Sequence, residues 1–113
     1  MILRVLFVLL AIVQSAVVRA DEPDPIAVIQ RVSPARDRWL ACLATQARLL
    51  ASTGRSPESI ADAALKRCSP AEGPVMKIMR QELGAERAKR VLDAVRLQDR
   101  SSLIRAIEHR RRD

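Results

Sequence analysis

The 113-residue chain contains no tyrosine and only one phenylalanine, one tryptophan, one histidine, two cysteines and three glycines. Each scarcity removes a class of function. Without aromatic side chains to interleave with bases, single-stranded nucleic acid lacks its usual stacking platform. One histidine and two cysteines cannot assemble a structural zinc site, which takes four ligands. His109 has no identifiable acid partner or nucleophile, so no hydrolytic triad can be built. No glycine-rich, cofactor or metal-ligand motif occurs. The sequence therefore nominates no catalytic residue, no cofactor, no metal and no small-molecule substrate, and it reads as non-enzymatic.

Strand-like alternation is also missing. With Trp39 the only aromatic residue after position 20, a core must be built from Leu, Ile, Val, Met and Ala. Alanine-rich apolar faces at helical spacing favour closely packed helices over a sheet, and an all-α fold is expected.

What is present begins with a secretory signal. Arg4 is followed by an apolar run from Val5 to Val13, then a more polar segment ending Val18-Arg19-Ala20. Small or modest side chains before the cut place cleavage between Ala20 and Asp21. The competing reading is an uncleaved anchor, making an inner-membrane protein with a helical periplasmic domain. The run is short of the roughly 20 apolar residues a spanning helix needs, and Gln14 and Ser15 interrupt it. Export to a periplasm or beyond is the expectation, with a membrane neighbour only if the signal is retained. Abundant arginine and alanine lean towards a bacterial source.

Beyond the signal lie 93 residues, enough for one domain. Loss of Arg4 and Arg19 lowers the net charge from +7 to +5. The excess is concentrated in residues 80–113, which hold 10 basic and 6 acidic side chains.

Cys42 and Cys68 carry the most information. An exported chain with two cysteines usually pairs them. Ser33-Pro34 reads as a helix start, with Trp39, Cys42, Leu43, Leu49 and Leu50 recurring at helical spacing and Gly54 closing the element. Ser56-Pro57-Glu58 starts a second helix whose inner face is Ile60, Ala61, Ala64, Leu65 and Cys68. Folding the two back about Arg55 brings Cys42 opposite Cys68, so a disulfide should pin the hairpin over residues 34–68. Closing a loop of this length is worth about 3–4 kcal/mol on the chain-entropy account.

The remaining elements follow from caps and breakers. Residues 21–33 form an N-terminal segment with room for a short helix over 26–32. Ser69-x-x-Glu72 resembles a capping box, but Pro74 favours a restart, so a third helix is placed at about 74–83. A fourth runs over 85–112, with Asp99 and Ser101-Ser102 marking a break or kink. The expected architecture is a bundle of four to five helices, its helical domain covering 34–113.

Arg96, Arg100, Arg105, Arg110, Arg111 and Arg112 are the candidate contact surface, suited to an anionic envelope surface or an acidic protein partner. Their bland role is solvation and helix capping, with Glu86–Arg90 and Asp93–Arg96 as intrahelical pairs. Met76 and Met79 suit core filling more than an adaptable binding face. Trp39 is expected to cover the disulfide, and His109 to sit in an exposed tail.

Trp39-x-x-Cys42, a helical hairpin and then Cys68 resembles a class of small exported two-cysteine helical proteins of proteobacteria, over about residues 36–95. That resemblance implies export and fold but no activity. A looser likeness to periplasmic acid-stress chaperones, also small, helical and held by one disulfide, adds a chaperone-like alternative. Their cysteines lie further apart and their second halves are lysine-rich.

Overall fold

A computed structural model describes residues 24–113; the expected signal segment, with the Ala20–Asp21 junction, lies outside the described residues. Four helices follow in order: α1 (Pro25–Ala51), α2 (Pro57–Arg67), α3 (Ser69–Leu83) and α4 (Ala85–Arg112). The all-α bundle expected from composition is what the chain forms, and no strand occurs among the described residues.

Three rods organise the bundle. At 27 and 28 residues, α1 and α4 are each about 40 Å long. The shorter α2 and α3 are separated only by Cys68 and together form the middle rod. Cys42 of α1 bonds to Cys68, and Arg31 of α1 pairs with Glu82 near the far end of α3. The middle rod thus runs antiparallel alongside α1. Arg96 on Glu72 and Arg100 on Asp62 show α4 returning antiparallel to it. Consequently α1 and α4 are parallel, and their contact with each other is the sparsest of the long helix pairings.

Two expected boundaries are corrected. The short helix over 26–32 and the start at Ser33-Pro34 are replaced by one continuous helix, α1, with Pro34 inside it. A second start signal of equal quality lies upstream. The Asp24 carboxylate accepts from the Ile26 N–H at 3.0 Å and Pro25 occupies the first turn, where its missing N–H costs nothing. Continuity brings Val32 onto the core and Arg31 to Glu82, which offsets the backbone bond that Pro34 removes. The Ser33 hydroxyl turns back to the Ile29 carbonyl at 2.6 Å.

The second correction concerns α3, which begins at Ser69 rather than restarting at Pro74. Cys68 is its cap, without a side-chain hydrogen bond, so Ser69-x-x-Glu72 is not a capping box. Glu72 reaches across to Arg96 instead. Pro74 sits on an exposed face, four residues after Pro70, where the ladder is only beginning.

No break occurs at Asp99 or Ser101-Ser102, and α4 is continuous. The Ser56 cap is as expected, its hydroxyl accepting from the Ser59 N–H at 3.1 Å. Gly84 closes α3 with φ 83° and ψ 162°, a conformation that side chains with a Cβ avoid.

The main core joins Trp39, Leu43, Cys68, Val75, Met79 and Leu92, with partly buried Cys42 and Met76 packed against it. A smaller cluster of Ala47, Leu50, Ile60 and Ile107 closes the turn end. Met79 is core filler, as its spacing suggested.

Candidate functional site: an arginine-rimmed apolar groove

The disulfide is present. Cys42 and Cys68 are bonded with their Cα atoms 5.9 Å apart, and Trp39 shares their cluster with no exposed surface. Both cysteines are consumed structurally, and no free cysteine remains. Among the described residues, no cluster of three or more His, Cys, Asp or Glu side chains is arranged to hold a metal ion. His109 is exposed, 3.7 Å from Asp113 and remote from any nucleophile.

The six C-terminal arginines divide into two sets. Arg96 holds Glu72 through both Nε and Nη2 and reaches Asp93 at 3.2 Å. Its guanidinium is held above its ordinary pKa, chiefly by the hydrogen bond to Glu72. Arg100 donates to Asp62 at 2.7 Å. That bond pulls the Asp62 carboxyl below its usual range and raises Arg100 in turn. Arg112 lies 3.8 Å from Glu108. These three are spent on carboxylates.

Arg105 and Arg110 make no side-chain hydrogen bond or ion pair among the described residues, and Arg111 only touches the Ala51 carbonyl at 3.4 Å. Of these, Arg110 and Arg111 flank a groove of about 510 Å³ between the C-terminal halves of α1 and α4, joined by Arg48 of α1 and by Ser52, which caps that helix. Its floor is apolar, contributed by Ala44, Ala47 and Ala51 of α1 and by Leu103, Ala106 and Ile107 of α4. The cause is local. Leu43 and Leu50 turn towards the core, leaving the methyl groups of Ala44, Ala47 and Ala51 on the stretch of α1 that lines the groove. Two parallel helices spaced by other contacts then fail to close over small side chains. The volume lies within the roughly 300–1,000 Å³ range of ligand pockets.

A second concavity, beside Met76, mixes Arg80, Lys89 and Arg96 with Glu86 and Asp93. Its charges are of both signs and it offers no comparable apolar floor.

Sequence reasoning found Arg110 and Arg111 but missed Arg48 and the groove itself. Arg96 and Arg100 are correctly placed on α4 but belong to the ion-paired seam with the middle rod. The signal for the groove is the spacing of Ala44, Ala47 and Ala51 opposite Ala106, which in isolation looks like ordinary helix-forming alanine. Also missed was the central pair. Arg36 Nη1 and Nη2 grip Asp99 at 2.6 and 2.7 Å, with the guanidinium 4.8 Å from the centre of the Trp39 ring. Asp99 is buried, and the fork ties α1 to α4.

Among the described residues, no helix is long and apolar enough to cross a membrane. Comparison with protein-family models, with curated proteins and with solved structures finds no match to this chain.

Proposed function

We propose that this chain is an exported, non-catalytic binding protein that works in the cell envelope by contact with an anionic partner at the groove between α1 and α4. The observation that carries the reading is the division of the arginines. Those facing the middle rod are neutralised by carboxylates, whereas Arg48, Arg110 and Arg111 surround apolar surface with no carboxylate lining it. Guanidiniums without a carboxylate partner, clustered beside apolar surface, leave a local positive field that recruits negative charge. Export is supported by the signal-like residues 1–20 and by a disulfide of the kind that persists in oxidising compartments. The non-catalytic part of the reading rests on the groove's lining, where the Ser52 hydroxyl stands without an acid or base beside it.

The test combines fractionation with crosslinking. Protein recovered from the periplasm should begin at Asp21 and gain about 2 Da on reduction, as thiol–disulfide chemistry requires. A photo-crosslinker replacing Ala106 should capture a partner in cells, and one replacing the exposed Gln81 on α3 should not. Cytosolic protein with free thiols, or equal capture at both positions, overturns the reading.

A further inference from the structure

Resting on that reading of the groove, we infer that its ligand is a single-chain anionic amphiphile: one acyl tail carrying a carboxylate or phosphate head. The groove is polarised along its length. Leu103 and Ala44 line one end without any charge. Ser52, Arg110 and Arg111 stand at the other, with Arg48 between. From Ala44 to Ser52 is eight residues, about 12 Å of helix, a span that takes the head and the first part of a tail. Charge at one end and methyl groups at the other match a head-and-tail molecule.

Other occupants match less well. An acidic amphipathic helix carries carboxylates along its whole length and would leave those beside Ala44 and Leu103 without cationic partners. A second copy would bring Arg48, Arg110 and Arg111 against their own counterparts, and like charges across an interface oppose association. A flat anionic bilayer meets the rim but cannot fill a recess whose floor lies between two helices. Arg111 also reaches from α4 towards the Ala51 carbonyl at 3.4 Å, which brings its guanidinium to the charged end of the groove.

Calorimetric titration of the oxidised protein with oleate, below its micellar concentration, tests the inference. One oleate per chain is expected. Oleoyl lysophosphatidic acid identifies a phosphate preference if it binds more tightly, and a carboxylate preference if it binds less tightly. Oleoyl lysophosphatidylcholine, with the same tail and no net charge, should bind at least tenfold more weakly than the better of the two. Arg110→Gln and Arg48→Gln should each weaken oleate binding roughly tenfold, the size expected for a charged hydrogen bond, while Arg105→Gln leaves it unchanged. Ala106→Phe fills the groove from an exposed position and should abolish binding without moving the melting temperature by more than a few degrees.

Equal affinity for the zwitterionic lysolipid, or oleate binding that survives Ala106→Phe, overturns the inference. So does capture only by phosphatidylglycerol vesicles or only by an acidic helical peptide. Exported protein that crosslinks at Ala106 yet ignores oleate would retain the binding-protein reading and remove this one. Cytosolic protein that binds oleate through Arg110 would do the reverse.

Discussion

Removing the disulfide should cost the domain a substantial share of its stability, and the size of the loss follows from the geometry. Cys42 and Cys68 are 26 residues apart in sequence. Closing a loop of that length removes about 12 cal/mol/K from the unfolded chain, or about 3.5 kcal/mol at 25 °C. Domains of this size hold about 5–13 kcal/mol in all. Cys42→Ala/Cys68→Ala should therefore lower the melting temperature by roughly 15–25 °C. Because the effect acts through the unfolded ensemble, the slope of stability against urea should also rise, as the uncrosslinked chain expands. Urea titrations of oxidised, reduced and double-alanine protein, followed by circular dichroism, read both quantities. A loss below about 1 kcal/mol would refute the reasoning. A full loss with an unchanged slope would place the effect in native packing around buried Cys68 instead.

Asp99→Ala should cost about 2–4 kcal/mol in urea, below the full penalty for stranding a buried charge because Arg36 keeps 24% of its side chain exposed. Arg36→Met with Asp99→Leu should recover most of that loss, and failure to recover would show that the pair stabilises beyond its mutual desolvation. Gly84→Ala meets no neighbouring atom, so its cost is purely conformational, about 1–3 kcal/mol for a φ/ψ region reserved to glycine; a neutral result in thermal melts would mean the turn relaxes to a negative φ. The lowered Asp62 pKa gives a small stability contribution that is present above the unfolded carboxyl pKa of about 3.9 and disappears as pH falls through the folded value. Asp62→Asn should accordingly flatten the melting-temperature profile below about pH 4 and leave its shape near neutrality unchanged; an undiminished acid slope would assign it to other carboxylates.

The parts of the fold legible in sequence are those where one local signal had no rival. Ser56-Pro57, Gly84 and the placement of Cys42 and Cys68 about one turn each specify a single geometry. Boundaries failed where two signals of equal strength competed. Asp24-Pro25 and Ser33-Pro34 both read as starts, and only the contacts of Val32 and Arg31 with distant segments choose the first. Similarly, Glu72 has a plausible local role as a capping residue, and α4 outbids it by presenting Arg96. Asp99 looked like a helix breaker because its partner, Arg36, lies 63 residues away. The groove was hidden for a related reason. A gap between two helices is a property of both faces and of their spacing, and no window along one helix contains it.

The bundle rests on two unequal hydrophobic clusters, and the disulfide belongs to the larger. Its counterpart beneath the groove depends on four buried side chains, three of them long aliphatics, Leu50 of α1, Ile60 of α2 and Ile107 of α4. Amides around the α1–α2 turn and in the last turns of α4 should then exchange with solvent through small, frequent openings, whereas those around Trp39 exchange only when the whole bundle comes apart. The Cys42–Cys68 link, seated within the larger cluster, holds that end together as a firebreak while the groove end breathes.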